Sequence, residues 1–275
     1  MPTYAIVTGA SSGIGLQVAR LLAARGYGLV LVARRRERLE ALRDELARPE
    51  RPVRVLVEDL GARDAAARIE AATADLEIEI LVNNAGYGMQ GRMLDMDLAA
   101  VEAMSTVNVH ALTELTTRFA RRMVTRGGGY ILNVASAAAF LPSPYVAAYA
   151  ATKAYVLHFS EALAYELQGT GVSVTTLYPG ITPTEFNDVA GARTPGWLSV
   201  SILGADRVAD IGVRAMFARR RAVVPGWINW MNAVFSHLLP RGFIVWVTGR
   251  TLGAANGWNG ATRARVESAA LSAPR

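Results

Sequence analysis

Short apolar runs alternate along most of the chain with longer segments whose apolar residues recur at three- and four-residue intervals. The short runs are Tyr4–Thr8, Leu29–Ala33, Val53–Val57, Ile80–Asn83, Tyr130–Val134, Val172–Tyr178 and Ala222–Val224. Each is bounded by Gly, Pro, Asn or charged residues and reads as a strand. Between them, Gly13–Arg25, Arg36–Arg48, Arg63–Leu76, Leu98–Arg126, Ala147–Gln168 and Asp206–Ala218 carry the helical period. Such alternation predicts an α/β protein with three layers, α/β/α, around a doubly wound parallel sheet of about seven strands. No second alternating block and no internal repeat is present, so residues 1–225 read as one domain.

The pattern changes beyond Val223. Val223–Gly253 is rich in Trp, Phe, Leu and Val but is interrupted by Pro225, Pro240, Arg241 and Gly242. No uninterrupted apolar run reaches the ~20 residues that span a bilayer. All five tryptophans, at 197, 227, 230, 246 and 258, lie in the last third. Residues 226–275 therefore read as a hydrophobic, helical C-terminal extension with a fraying tail after Gly260. It suits a lid or apolar wall, an interface, a membrane-surface contact or added core, and the pattern leaves these open.

Composition narrows the classes. With 275 residues, 52% hydrophobic and 19% charged, the chain can bury a sizeable core, which excludes disorder as its main state. It has no cysteine, so disulfides, thiolate metal sites and thiol nucleophiles are excluded, and a cytoplasmic location is the default expectation. The N-terminal MPTYAIVTGA lacks the pattern of a signal peptide. The net charge is +6, but the arginines are spread out and lack interleaved aromatics, so no nucleic-acid partner is expected. The three histidines, His110, His158 and His237, share no metal-ligand spacing and read as helix-face residues.

Candidate chemistry begins where the first strand runs into Thr8-Gly9-Ala10-Ser11-Ser12-Gly13-Ile14-Gly15 and a helix. Strand, glycine turn and helix N-terminus together make an anion site suited to a pyrophosphate. Tyr149 and Lys153 lie four apart on one helix face, where an ammonium would favour a phenolate and lower its pKa toward working pH. Lys153 is the only lysine beside 28 arginines, and its compact, pKa-adjustable ammonium differs in kind from a guanidinium. Tyr145, Tyr155 and Tyr165 have no lysine four residues on and read as pocket wall or core, with Tyr145 able to line a substrate site. Ser136 stands at the C-terminal end of a strand, where open α/β sheets bind ligands and a hydroxyl can hold a carbonyl oxygen.

The spacing Gly-x-x-x-Gly-x-Gly, followed in order by Asn83-Asn84-Ala85-Gly86, Asn108, Ser136, Tyr149-x-x-x-Lys153 and Pro179-Gly180, resembles the short-chain dehydrogenase/reductase family over residues 3–225. The extension resembles that of one reductase branch less specifically. The resemblance implies a Rossmann-like fold and a nicotinamide cofactor held by Gly9, Ser11, Ser12, Gly13, Ile14, Gly15, Asn84, Ala85 and Gly86. It implies that Ser136 polarises a substrate carbonyl, that Tyr149 donates the proton, that Lys153 tunes Tyr149 and holds the ribose, and that Asn108 holds a water linking Lys153 to solvent. Asp59 and Leu60 resemble the adenine contact. Pro179, Gly180, Thr182 and Thr184 resemble the loop that holds the nicotinamide carboxamide and pyrophosphate, with Thr182 and Pro183 as departures in detail. Glu185–Val200 reads as a mobile substrate lid.

NAD enzymes of this type need an acidic group at the end of the second strand, and the chain has Ala33-Arg34-Arg35 there. Arg34 is placed to grip a 2′-phosphate, which favours NADP(H). The expectation is an NADPH-dependent carbonyl reductase or alcohol dehydrogenase acting on a hydrophobic ketone, aldehyde or 3-oxoacyl substrate, with no metal. The alternative is a non-catalytic NADP(H)-binding sensor or membrane-surface protein of the same fold. By resemblance, a homodimer or homotetramer forms through helices Ala111–Arg126 and Ala147–Gln168.

Overall fold

The computed structural model describes residues 3–185 and 202–256. Seven strands form one parallel sheet: β1 (Tyr4–Thr8), β2 (Gly28–Ala33), β3 (Val53–Val57), β4 (Ile78–Asn83), β5 (Gly129–Val134), β6 (Val172–Leu177) and β7 (Ala222–Val223). Their spatial order is β3-β2-β1-β4-β5-β6-β7. The chain winds outward from β1 through β2 to β3, then returns to place β4 on the other side of β1. The crevice between the C-terminal ends of β1 and β4 is thus the topological switch point, where open α/β sheets bind ligands.

Strand residues alternate between two cores. Val7, Leu29, Leu31, Val82 and Leu132 face α1 (Gly13–Ala24), α2 (Arg36–Leu46) and, near the chain's end, the helix Ala205–Phe217. Their neighbours Ile6, Val30, Val32, Leu81 and Ile131 face α3 (Ala65–Ala72) and the helix Leu112–Arg126. Both faces are covered, which is why the strands are continuous Val/Ile/Leu runs rather than alternating ones.

The expected helix Leu98–Arg126 is instead three pieces. α4 (Leu98–Ser105), capped by Asp97 accepting from the Ala99 N–H, widens into a π-helical turn over Thr106–Ala111 before α5 (Leu112–Arg126) resumes. A π turn inserts a residue into the helix and marks functional positions; here it carries Asn108. α5 ends at Gly127, whose φ of 91° supplies the left-handed C-terminal residue. The helix expected at Arg63–Leu76 is shorter, Ala65–Ala72. α6 (Ala147–Glu166), α7 (Ala205–Phe217), α8 (Trp227–Leu238) and α9 (Arg241–Ala255) complete the described elements.

Candidate active site

The turn after β1 is built from glycines that cannot be replaced without collision. Gly9 and Gly13 have φ of 66° and 57°, a region L side chains rarely adopt. A Cβ on Gly15 would fall on the Gly9 carbonyl oxygen and the Asn84 amide, and one on Gly13 would meet the Thr184 methyl group at 3.1 Å. Ser12 caps α1 with extended backbone and no side-chain bond to the first turn. The first-turn N–H groups are thereby left to an anion, and the cradle fits a pyrophosphate.

Thr8 joins the two sides of the switch point. Its buried hydroxyl donates to the Val82 carbonyl (3.1 Å) and accepts from the Asn84 and Ala85 N–H groups (3.0 and 3.1 Å). The Asn84 amide then donates to the Thr8 carbonyl (3.0 Å), locking the loop after β4 onto β1. Beneath it, Asn83 donates to Asn133 Oδ1 and Thr116 Oγ1, and Asn133 donates to Ser160, a buried polar ladder from β4 through β5 to α6.

Asn108 reaches from the π turn into the same loop. Its Oδ1 accepts from the Tyr87 N–H (3.1 Å), and its Nδ2 donates to the Tyr87 carbonyl (2.9 Å) and Thr152 Oγ1 (3.1 Å). Gly86 lies between Asn108 and Lys153: a Cβ there would stand 2.8 Å from Asn108 Oδ1 and 3.4 Å from Lys153 Nζ.

Ser136, at the end of β5, accepts from the Ala138 N–H and is hydrogen-bonded to the Tyr149 side chain. Lys153 is buried on the next turn of α6, its Nζ donating to the Val134 carbonyl (3.0 Å) and lying 5.9 Å from the Tyr149 ring centroid. Burial pushes the Tyr149 phenol up to about 12, while the Ser136 hydrogen bond pulls it the other way. Burial also brings the Lys153 ammonium down to about 8. This corrects the expectation of a phenol lowered by its lysine. Desolvation governs both groups, because the ammonium's hydrogen bond goes to a backbone carbonyl rather than the phenolic oxygen.

At the other end of the crevice, Arg35 rather than Arg34 touches the glycine turn. Its guanidinium donates to Ser11 Oγ (2.9 Å), Ser12 Oγ (2.9 Å) and Glu185 (2.6 Å), and Arg38 also grips Glu185 (2.5 Å). These two partners hold the Glu185 carboxyl down to about 2. Arg34 is exposed and, with Asp59, lies within electrostatic reach of Tyr87. Asp59 accepts from the Gly61 N–H in its own turn (2.9 Å), and Leu60 is buried.

Pro179 closes the roof: its carbonyl accepts from the Ala137 N–H (2.8 Å) beside Ser136. Thr182, buried, donates to the Gly180 carbonyl (3.2 Å). Gly180 lies directly against Asn229 of α8, whose amide donates to the Pro225 carbonyl (2.9 Å). α8 also packs on Ala137–Phe140, and α9 reaches the next loop through Thr248 Oγ1 to the Pro142 carbonyl (3.2 Å) and Gly249 against Pro144. Tyr145 in that loop has φ of 67°, strained for a tyrosine, with its carbonyl accepting from Gly91 N–H (2.7 Å).

The structure thus gathers Asn108, Ser136, Tyr149 and Lys153 at one end of the crevice and the glycine turn, Asn84–Gly86 and Arg35 along it. The lid expected at Glu185–Val200 lies, except for Glu185, outside the described residues, as do Trp197, Trp258 and the tail. His110 and His158 are exposed on helices, as expected. Tyr155 and Tyr165, expected as wall or core, are exposed on α6, where Tyr155 OH meets Thr113 Oγ1 of α5. Sequence reasoning passed over Thr8, Thr152, Arg35 and Asn229. Thr8 stands in the motif itself, and Arg35 adjoins the residue chosen; Asn229 carries no local signal, because only tertiary packing sets it on Gly180.

The short chain dehydrogenase family model matches residues 3–194. The chain is 32% identical over 191 residues to the very-long-chain 3-oxoacyl-CoA reductase-B of Danio rerio, covering 68% of this chain and 61% of that protein. It spans less than two thirds of that relative's length. Among solved structures, a short-chain dehydrogenase from Sphingobium yanoikuyae in complex with NADPH is 33% identical with a TM-score of 0.75, covering 86% of this chain and 95% of the other. The bulky-bulky ketone specific alcohol dehydrogenase from Comamonas testosteroni is 28% identical with a TM-score of 0.73, covering 86% and 92%. Seven parallel strands in this order, a glycine cradle at the switch point and a match over most of the length agree: the chain belongs to the short-chain dehydrogenase family, oxidoreductases that use a nicotinamide cofactor on CH–OH and C=O groups.

Proposed function

We propose that the protein is an NADPH-dependent carbonyl reductase acting on a hydrophobic ketone, aldehyde or 3-oxoacyl substrate, working as an alcohol dehydrogenase in reverse. The observation that carries the reading is the Ser136–Tyr149 hydrogen bond beside buried Lys153 and Asn108. When bound, the dihydronicotinamide supplies a hydride to the carbonyl carbon. Ser136 donates a hydrogen bond to the carbonyl oxygen, and Tyr149, protonated at neutral pH because burial holds its pKa near 12, gives that oxygen its proton. Lys153, one helical turn away, is held by the Val134 carbonyl with its Nζ 5.9 Å from the Tyr149 ring centroid, where it suits the ribose of the cofactor. Asn108 holds the loop at Gly86 and Tyr87 in place.

Along the crevice, the N–H groups at Gly13–Gly15 and the hydroxyls of Ser11 and Ser12 suit the pyrophosphate. Asn84–Gly86, Pro179, Gly180, Thr182 and Thr184 wall the nicotinamide end, and Asp59 and Leu60 the adenine end. A guanidinium pair that already holds a carboxylate, Arg35 with Arg38, is chemically suited to a 2′-phosphate, with Arg34 exposed beside it. The names of the Danio and Comamonas enzymes, with the apolar extension at the roof, favour a bulky hydrophobic substrate.

The test is Tyr149→Phe, assayed for NADPH oxidation on bulky ketones and 3-oxoacyl thioesters and for NADPH binding by fluorescence. Turnover is expected to vanish while binding persists; undiminished turnover defeats the reading. Arg34→Ala and Arg35→Ala, titrated in parallel with NADPH and NADH, identify the phosphate-binding side chain. NADPH affinity is expected to fall in at least one, with NADH affinity unchanged, and no change in either removes the NADPH preference.

A further inference from the structure

We propose that α8 and α9 form a docking surface for an anionic lipid membrane, which the protein touches without crossing. A helix that is apolar all round belongs in a core or in lipid. α9 buries only Ile244 and Gly253, yet Phe243, Val245, Trp246 and Val247 are all exposed. α8 shows the same excess: Trp227 is 74% exposed, Trp230 54% and Leu238 71%. These side chains do not complete the core, and they are not loosely hung. α8 is seated on the body through Asn229 at Gly180, and α9 through Thr248 and Gly249 at the Pro142–Pro144 loop.

Length and charge choose the partner. α9 has 15 residues, about 22 Å at 1.5 Å per residue, short of the ~30 Å hydrocarbon core. Among the described residues no helix is long and apolar enough to cross a membrane. Tryptophans favour the headgroup level of a bilayer. The two helices hold two arginines and no Asp or Glu. In the exposed helices, Arg241 begins α9 and Arg250 lies over the Trp246 ring, 5.4 Å from its centroid. An acid-free, arginine-bearing aromatic surface complements anionic headgroups. A second copy of the same surface would set arginine against arginine.

The experiment is co-sedimentation of the full chain with phosphatidylcholine vesicles, with and without phosphatidylglycerol, at low and high salt, against a vesicle-free control. Two double variants are run alongside, Arg241→Glu with Arg250→Glu and Trp230→Ser with Trp246→Ser, each checked for retained NADPH binding. The parent is expected to pellet with phosphatidylglycerol vesicles and to be released by salt. The arginine variant is expected to lose about tenfold or more in partitioning, and the tryptophan variant to lose binding as well. No pelleting with anionic vesicles overturns the proposal. So does equal pelleting on neutral ones, an arginine variant that binds like the parent, or a concentration-dependent oligomer that the tryptophan variant disperses without any vesicle binding.

Discussion

Replacing Lys153 by methionine keeps the stem and removes the charge. Lys153 is buried, and among the described residues no carboxylate is paired with it; desolvation lowers its pKa from 10.5 to about 8. Below the folded pKa the ammonium is charged in both folded and unfolded chains, and the folded state carries the full cost of desolvating it. Between about 8 and 10.5 the folded chain releases the proton while the unfolded chain keeps it, so this residue's contribution to stability rises with pH across that window. At ~1.4 kcal/mol per pKa unit the whole swing is about 3 kcal/mol, of which about 2–3 falls between pH 7 and pH 10.

Lys153→Met removes that swing. It also leaves the Val134 carbonyl without its donor, a loss of about 1–3 kcal/mol that does not depend on pH. Near neutral pH the two effects largely offset, so the variant should be about as stable as the parent while losing turnover. At high pH the parent should pull ahead. The assay is urea unfolding followed by circular dichroism at several pH values, taking the parent-minus-variant difference so that groups common to both cancel. Parallel stability curves from about pH 7 to about pH 10 would refute desolvation as what governs this lysine, and with it the account of its partner tyrosine.

Three further outcomes are expected. Thr8→Val keeps the shape but orphans the Asn84 and Ala85 N–H groups; it should cost about 1–3 kcal/mol or more in chemical denaturation and weaken NADPH binding, and a loss inside about 0.5 kcal/mol would show that the hydroxyl does not tie the switch point together. Gly15→Ala places a methyl group on the Gly9 carbonyl, which cannot move aside as a side-chain tip can. A loss of about 1–3 kcal/mol with weaker NADPH binding is expected, and a normal melting temperature with normal binding counts against the cradle. Gly180→Ala drives into Asn229, so limited proteolysis should cut residues 226–256 faster than in the parent, and an unchanged digestion pattern would mean that α8 is not seated there.

Much of the fold was legible because strand burial on both faces writes itself as unbroken runs such as Leu29-Val30-Leu31-Val32. The helix period is equally plain in α1 and α5. Asn108 on its own reads as a helix irregularity or cap, and a π turn does stand there; what the sequence did not show is its bonding to Tyr87 and Thr152 from other segments. The meeting of Tyr149, Lys153 and Ser136 followed from helical spacing and strand ends. Their titration did not, because two residues four apart reveal proximity but not how much water surrounds them. Arg34 and Arg35 are indistinguishable in sequence. Only the path of the chain after β2 turns Arg35 toward Ser11 and Ser12.

The substrate was illegible for a reason the structure makes specific. The family pattern ends at residue 194, while the side chain against Gly180 is Asn229, on a helix beyond it. Gly180 follows Pro179, whose carbonyl fixes Ala137 next to Ser136, and α8 packs on Ala137–Phe140 directly. α9 meanwhile braces the loop that leads through strained Tyr145 to Tyr149. The extension therefore touches both the segment after Ser136 and the loop of Tyr145. The motifs that the sequence displays lie within the family pattern, and what stands over Ser136 and the Tyr145 loop is a tryptophan-rich helix pair beyond it, patterned for a surface rather than a core.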